Sequence, residues 1–415
     1  MMRSVLRVAS LLLAALMLLP LVFGLTACTK GGGNTVTLYV YNWGEYISDG
    51  TEGTLDVNEM FEEWYYETYG VKVEVNYSTY SSNESMYAKL SSGSVDYDVV
   101  VPSDYMIERM IAEDMLAPLN FENIPSIGNV HPDFFGPDAV YDYYDPDNLY
   151  AVPYMYGMIG IIYNTSMVGA DDPSLGSWQL MWDERYQGNI LQFNNSRDAF
   201  GTAQYFLGLD VNSADEAEWR QALEKLKEQK PVLQGYVMDE IFNKMENGSA
   251  AIAAYYAGDF LAMYENNEDL EFFYPAEGTN LYVDAMCIPK TSRNKEIAEA
   301  YIEFMLREEA AVANAEYTYY ASPNNAVREN EEYIEYMNSI KEGGYDLMYD
   351  TSAVQTSSYK NLGGEQLIML NELWEELKSD IEVGLPIYII CAVILVILIG
   401  GGTFLGVRKK IRDKY

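Results

Sequence analysis

The alternation of apolar strands with helical segments over residues 36–115 constrains the fold more than any other feature of this chain. Val36–Ile47 begins as an alternating strand and ends in an aromatic cluster, and residues 54–69 then show helical spacing. A second alternating strand and a short helix follow, then a short apolar run at 97–101 and a helical pattern at 106–115. This order predicts an α/β fold whose first half is a doubly wound sheet.

The middle of the chain indicates a crossing into a second lobe. Residues 120–148 are rich in proline and loop-like, and the apolar segment AVPYMYGMIGIIYN at 151–164 follows them directly. We interpret this segment as a strand pair or one long bent strand. The chain has 415 residues, which is enough for two lobes that each bury a core. We therefore expect 151–164 to lead from one lobe into the other.

The N-terminal residues have the pattern of a bacterial export signal. A basic start precedes the apolar run Leu11–Val22, and LTAC at 25–28 resembles the lipobox, whose cysteine carries lipid and becomes the mature N-terminus. We expect a signal peptide over residues 1–28 with lipid on Cys28. The glycine-rich residues 29–35 are expected to form a flexible tether.

A second membrane attachment is predicted at the other end. Residues 385–404 are apolar over about the length that spans a bilayer as a helix. Basic residues follow, and the positive-inside rule then places the C-terminus in the cytoplasm. We expect a transmembrane helix over 385–406, a basic cytoplasmic tail over 407–415 and a body outside the cytoplasm.

The charge balance excludes some partners. Lys and Arg number 26 against 63 Asp and Glu, which gives a net charge of −37. Such a body is not expected to bind nucleic acid or an anionic lipid surface. The charge suits a cationic ligand, although acidic surfaces also keep proteins soluble, and solubility explains most of it.

Histidine and cysteine usage argues against several kinds of chemistry. His131 is the only histidine, so a multi-histidine metal site is excluded, and a Ser-His-Asp triad would need this one residue of a proline-rich loop. Cys287 is the one cysteine of the predicted outer body, and we expect it to be a small core residue. The chain contains no G-x-S-x-G, HExxH or nucleotide-loop motif. We therefore expect no enzymatic activity, cofactor or metal.

The end of the first strand carries candidate ligand-binding residues. Trp43, Glu45 and Tyr46 follow the strand at once, and Gly44 lets the backbone turn. Ligands in open α/β sheets bind off the carboxyl ends of strands. A carboxylate flanked by two rings suits an organic ammonium group. A strand end with an exposed Glu and two rings in the core explains the pattern equally well.

Asp284 is the most informative residue outside that stretch. It interrupts the apolar run LYVDAMCIP, where a carboxylate is costly unless a charged or hydrogen-bonding group meets it. Tyr282 is two residues away and is expected on the same face of the strand. Backbone N–H groups at a strand crossing would also satisfy Asp284. Asp198 has an alternative role at a helix dipole, and Tyr255 and Tyr256 have an alternative place in the core.

Several short motifs occur in the order of one known family between about residues 36 and 380. They are LYVYNWGEY at 38–46, STYSSNESMYAKL at 78–90, DVVVPSDY at 98–105, YAVPYMYGMIGIIYN at 150–164, YVDAMCIP at 282–289 and YASPNN at 320–325. With these motifs the chain resembles the spermidine/putrescine-binding lipoproteins of polyamine ABC transporters. The resemblance implies a two-lobed type II periplasmic-binding-protein fold with a ligand cleft between the lobes. The expected lobes are 36–150 with 286–322 (lobe I) and 151–285 with 323–380 (lobe II).

The resemblance also implies which residues bind the ligand, with carboxylates meeting its amines and rings covering its methylenes. They are Trp43, Glu45, Tyr46, Ser103, Tyr105, Asn195, Asp198, Tyr255, Tyr282, Asp284 and Tyr320.

This chain departs from the family pattern at several of these positions. Gly44 stands where Thr or Ser is usual, and Asn195 stands where a spermidine binder has Asp, which removes one negative charge. Tyr255 and Tyr282 replace tryptophans, which keeps a π face but weakens its attraction for a cation. These departures leave the choice between putrescine and spermidine open.

The expected function is therefore capture of a polyamine outside the cytoplasm and its delivery to an ABC permease with a cytoplasmic ATPase. The alternative keeps the fold and changes the role to a membrane-held sensor of polyamine or another organic cation. The predicted tail is too short for an enzymatic domain, so a sensor would have to signal through a partner protein.

Overall fold

The computed structural model describes residues 35–379, and most of its strands pair along one continuous path. The strands are β1 (Val36–Trp43), β2 (Val73–Tyr80), β3 (Val99–Val100), β4 (Ala151–Asn164), β5 (Ile190–Phe193), β6 (Leu233–Val237), β7 (Ile252–Tyr256), β8 (Leu270–Phe273), β9 (Thr279–Cys287) and β10 (Thr356–Ser357).

Helices cover the sheet between these strands. They are α1 (Val57–Tyr69), α2 (Asn83–Ser91), α3 (Asp104–Ala112), α4 (Ser196–Leu207), α5 (Glu216–Gln229), α6 (Glu240–Glu246), α7 (Ala257–Asn266), α8 (Lys295–Met305), α9 (Glu308–Thr318), α10 (Asn325–Arg328), α11 (Glu331–Ile340), α12 (Gly344–Tyr349) and α13 (Gly363–Ser379).

The strand order is β2-β1-β3-β9-β4-β7-β5-β6, and β4 and β9 join its two halves. Strand β1 is parallel to β2 and β3 in one half, and β5 is parallel to β6 and β7 in the other. The first part of β4, from Ala151 to Met158, pairs with β9, and its second part pairs with β7 and β8. Nearly every residue of β4 is buried, as expected for an apolar strand covered on both faces.

Local sequence explains where several helices begin. The side chain of Asp56 accepts a hydrogen bond from the backbone N–H of Glu59 and caps α1, so the helix begins at Val57 and not at the predicted residue 54. Ser82 and Ser85 bond reciprocally at the start of α2. Asn195 caps α4 and thereby fixes the first turn, which carries Asp198.

The α/β class is confirmed, and residues 151–164 form one continuous strand. The sequence patterns did not indicate α7 or β6. Helix α7 follows β7 without an intervening turn, so the two elements look like one apolar segment in the sequence. Strand β6 is short, contains Gly235 and has no alternation of apolar and polar residues.

The predicted membrane attachments fall largely outside the described part of the chain. The signal peptide at 1–28, the tether up to residue 34, the transmembrane helix at 385–406 and the tail at 407–415 all lie beyond residues 35–379. Within 35–379, no helix combines the length and the apolar character needed to cross a membrane. Cys287 is fully buried in β9, as predicted.

Candidate ligand-binding site

A cavity open to solvent is lined by all eleven residues that were predicted for the site, and its space of about 770 Å³ includes the open mouth. The carboxyl ends of parallel strands bring them together. Glu45 follows β1, Ser103 follows β3 and Asp198 follows β5, so both halves of the sheet contribute. Strand β9 runs antiparallel to β3 and adds Tyr282 and Asp284 from its interior.

Asp284 is buried, and two side-chain hydroxyl groups meet its carboxyl group. The hydroxyl of Ser103 donates to Oδ1 at 2.6 Å, and that of Tyr46 donates to Oδ2 at 2.7 Å. Burial raises the pKa of Asp284 to about 6, the two hydrogen bonds oppose that rise, and the charge of Asp198 adds to it. The carboxyl group is thus held in place and becomes negative near neutral pH.

Asp198 forms a second anionic point, on the other half of the sheet. Its Oδ2 accepts hydrogen bonds of 2.7 Å from Asn195 Nδ2 and from the Tyr256 hydroxyl. Burial raises the pKa of Asp198, and both hydrogen bonds counteract the rise. Asn195 therefore acts here as a donor that orients Asp198, a role that an aspartate in its place would not fill.

A third group of carboxylates consists of Glu45, Asp239 and Asp259. Glu45 is exposed, whereas the pKa of Asp259 is raised to about 8, mainly by burial and also by the charges of Asp239 and Glu45, against a hydrogen bond from Tyr320 that lowers it. The pKa of Asp239 is also raised, by burial and by the charges of Glu240 and Glu45. Like charges this close favour a bound cation that neutralises them.

Glu84 is a fourth acidic point of the cavity. The Tyr105 hydroxyl donates to Glu84 Oε1 at 2.9 Å, and the Asn83 side chain donates to Tyr105 and to Ser103. Burial raises the pKa of Glu84. Six carboxylates line the cavity in total, and none of the residues lining it in the described chain is Lys or Arg.

Aromatic rings form much of the remaining wall. Trp43 is half-buried and fixed by a 2.9 Å hydrogen bond from Nε1 to the carbonyl of Val101. The Tyr320 ring packs edge-on against Tyr46, with 4.9 Å between ring centroids. A side chain on Gly258 would lie 2.4 Å from Tyr320, so this glycine permits the packing.

Several residues that line the cavity were not among the eleven predicted ligand-binding residues. Tyr256 contacts Asp198 directly, whereas Tyr255 is 2% exposed and stacks on Phe193. Asp259 lies in the first turn of α7, directly after β7. Ligands bind off the carboxyl ends of strands in such sheets, so Asp259 would have been a candidate if the end of β7 and the start of α7 had been recognised in the sequence. Asp239 also lines the cavity and follows β6, a strand that the sequence pattern did not indicate.

The cavity can hold an elongated organic cation, with carboxylates at several points and rings between them. A cavity of this kind at the strand ends of an α/β sheet is typical of proteins that bind small ligands. The chain belongs to the bacterial extracellular solute-binding proteins, whose family model matches residues 59–339.

Several proteins to which this chain is similar are named as spermidine/putrescine-binding proteins. The spermidine/putrescine-binding periplasmic protein of Escherichia coli is 30% identical over 361 residues, which cover 86% of this chain and 96% of that protein. The spermidine/putrescine ABC transporter substrate-binding protein PotD of Streptococcus pneumoniae is 32% identical with a TM-score of 0.64, over 83% of this chain and 99% of that one. The Tp0655 (TpPotD) lipoprotein of Treponema pallidum is 26% identical with a TM-score of 0.67, over 82% and 99%.

Proposed function

We propose that this protein is the extracytoplasmic polyamine-binding component of an ABC import system. The observation that carries the proposal is the cavity itself, in which six carboxylates and a set of aromatic rings surround a space without a basic residue in its described lining. Spermidine and putrescine combine ammonium groups with methylene chains, which matches both parts of that wall. The names of the relatives support the same ligand class.

The proposed ligand spans the two halves of the sheet. Asp284 and Glu45 bind ammonium groups from one half, and Asp198 and Asp259 bind them from the other. The methylenes are covered by the rings of Trp43, Tyr105, Tyr255, Tyr282 and Tyr320. The carboxylates are held in place by hydrogen bonds from Tyr46, Ser103 and Asn195. No bond is made or broken in this role, so we assign the protein no catalytic step.

Transport requires the ligand to favour one conformation. If the lobes are 36–150 with 286–322 (lobe I) and 151–285 with 323–380 (lobe II), Glu45 and Ser103 belong to lobe I and Asp198 and Asp259 to lobe II, so a ligand in the cavity would contact both. A cation that contacts both lobes binds better to the closed form and shifts the population toward it. The closed form then docks on the permease, whose ATPase drives import.

The membrane attachments complete the proposal. Lipid on Cys28 and a helix at 385–406 would hold the body at the outer face, at a high effective concentration near the permease. The sensor alternative gains no support from the relatives, which are named as binding proteins and, in the pneumococcal case, as part of an ABC transporter.

Calorimetric titration of the purified full chain in a mild detergent with putrescine, spermidine and spermine tests the proposal. Micromolar or tighter binding of one of them, weakened in Glu45→Gln and Asp284→Asn, is the expected result. A folded sample that gives no heat with any of the three contradicts the proposal.

A further inference from the structure

Asn83 begins helix α2, yet its side chain is not needed to cap that helix. The reciprocal hydrogen bonds of Ser82 and Ser85 form the cap. Asn83 lies in the motif at 78–90, is 4% exposed and lines the ligand cavity. Its amide is therefore free to bond with groups on other elements of the fold.

Hydrogen bonds fix which way the Asn83 amide faces. The backbone N–H of Ser103 donates to Asn83 Oδ1 at 3.1 Å, and a backbone N–H can only donate. The amide oxygen therefore faces Ser103 N, which leaves Nδ2 facing two hydroxyl groups. Nδ2 donates to Ser103 Oγ at 3.0 Å and to the Tyr105 hydroxyl at 3.1 Å. Both N–H groups of the amide are thus used on hydroxyls of the cavity wall.

The direction of these two bonds sets where the hydroxyl protons go. A hydroxyl has one proton, and when it accepts from Asn83 that proton is left for another partner. Ser103 donates it to Asp284 Oδ1 at 2.6 Å, and Tyr105 donates it to Glu84 Oε1 at 2.9 Å. One amide thereby directs two hydroxyl protons toward two carboxylates of the cavity.

Ser103 gives up a common structural role in this arrangement. It occupies the N-cap position of α3, where a serine side chain usually accepts a hydrogen bond from a backbone N–H of the first turn. The Ser103 side chain makes no such bond, and its hydroxyl donates to Asp284 instead. The hydroxyl is therefore committed to the cavity and not to the helix.

We propose that Asn83 is a positioning residue for polyamine binding, whose amide orients the hydroxyls of Ser103 and Tyr105 so that they donate to Asp284 and Glu84. This inference rests on the proposed function and deepens it. Burial raises the pKa of both carboxyl groups, and the two hydroxyl hydrogen bonds oppose that rise. Loss of the amide therefore weakens the binding of a cation, although no charge is removed.

Calorimetric titration of the full chain in a mild detergent with putrescine and spermidine tests this role. We expect Asn83→Ala to weaken binding about three- to tenfold, because two carboxylates lose their oriented donors. In a Ser103→Ala/Tyr105→Phe background, the same substitution should change affinity less than about twofold, because Asn83 acts through those hydroxyls. Asn325→Ala, at the equivalent first position of α10 and outside the cavity, is the matched control and should leave affinity unchanged.

The comparison of the two backgrounds decides the inference. An equal loss of affinity in both would mean that Asn83 contacts the ligand itself or supports the fold alone, and this inference would be wrong while the proposed function stands. Wild-type affinity of Asn83→Ala in the otherwise unchanged protein would also overturn it. Thermal unfolding checks that each variant is folded, and Asn83→Ser, which lacks the amide as well, replaces the alanine variant if that one does not fold. If the folded wild-type protein binds neither polyamine, the proposed function is wrong and this inference fails with it.

Discussion

The Tyr46 hydroxyl donates a 2.7 Å hydrogen bond to Oδ2 of Asp284, and this bond joins two residues that are 238 positions apart in the chain. Tyr46 follows β1, and Asp284 lies inside β9, which is separated from β1 only by β3. The stretch that follows β1 and the strand that carries Asp284 therefore form one structural unit. A buried acid and a hydroxyl that orients it both line the cavity of the proposed site.

Replacing Asp284 with Asn is expected to weaken polyamine binding about 10- to 100-fold. A hydrogen-bonded charge contact contributes about 1.5–3 kcal/mol, and the amide keeps the size of the side chain while removing the charge. Calorimetry on the full chain measures the change. Asp138→Asn, at an exposed loop position, is the control and should leave affinity unchanged. Equal effects of the two substitutions would remove Asp284 from the binding site.

Ligand affinity is expected to rise with pH between about 6 and 8. Burial raises the pKa of Asp284 to about 6 and that of Asp259 to about 8, so the ligand-free site holds protons that a bound cation must displace. The polyamine itself remains charged over this range. Titrations in buffers of different ionisation enthalpy should therefore detect proton release on binding.

The same two groups give a stability effect with a defined sign. Their pKa values are higher in the folded protein than in the unfolded chain, so between about pH 4 and 8 the folded state binds more protons. Their contribution to the free energy of unfolding therefore falls as the pH rises through this window. Asp259→Asn should remove the part near pH 8. A pH profile that is identical in wild type and variant would contradict this assignment.

The fold class and part of the candidate site could be predicted because both depend on local patterns or on family motifs. Trp43 ends β1 and Glu45 lies two residues after it, so their position at a strand end pointed to them, whereas Ser103 was predicted only through the family resemblance. Asp259 and Asp239 follow strands as well, but α7 and β6 have no clear pattern of their own. A cavity residue could therefore be predicted from its position only where the strand before it, and the end of that strand, were clear in the sequence.

The hydrogen-bond partners of Asp284 could not be predicted from the sequence, for a different reason. Asp284 was expected to meet a charge, a hydrogen bond or backbone N–H groups, and the structure shows two hydroxyls, from Ser103 and Tyr46. The choice among such partners depends on how β1, β3 and β9 align across the sheet. That alignment results from long-range packing, which periodicity does not encode.

Asn195→Asp is expected to raise affinity for spermidine relative to putrescine. The substitution adds a carboxylate next to Asp198 and removes the 2.7 Å hydrogen bond from Asn195 Nδ2, so the added charge favours the ligand with the additional ammonium group. Competition titration with both polyamines measures the ratio. Asn194→Asp, at the exposed neighbouring position outside the cavity, adds the same charge and should leave the ratio unchanged. If both variants change the ratio equally, the effect is one of overall charge.

Gly258→Ala is expected to disturb binding through the Tyr320 ring. A Cβ at this position would lie 2.4 Å from Cδ2 of Tyr320, too close for any real contact, so the Tyr320 ring or the start of α7 must shift. Because the Tyr320 ring packs on Tyr46, which orients Asp284, a shift of the ring would disturb that contact. Overpacking of this kind costs about 1–3 kcal/mol of stability, and the displaced ring should weaken polyamine binding as well.

Gly235→Ala is the matched control for that substitution. A Cβ at Gly235 would meet no atom within 4 Å, and the residue lies in β6, away from Tyr320. The alanine there should leave the unfolding temperature and the affinity almost unchanged. Thermal unfolding and calorimetry on both variants separate the two cases. If Gly258→Ala lowers the unfolding temperature but binds polyamine with wild-type affinity, Tyr320 supports the fold alone and does not shape the ligand cavity.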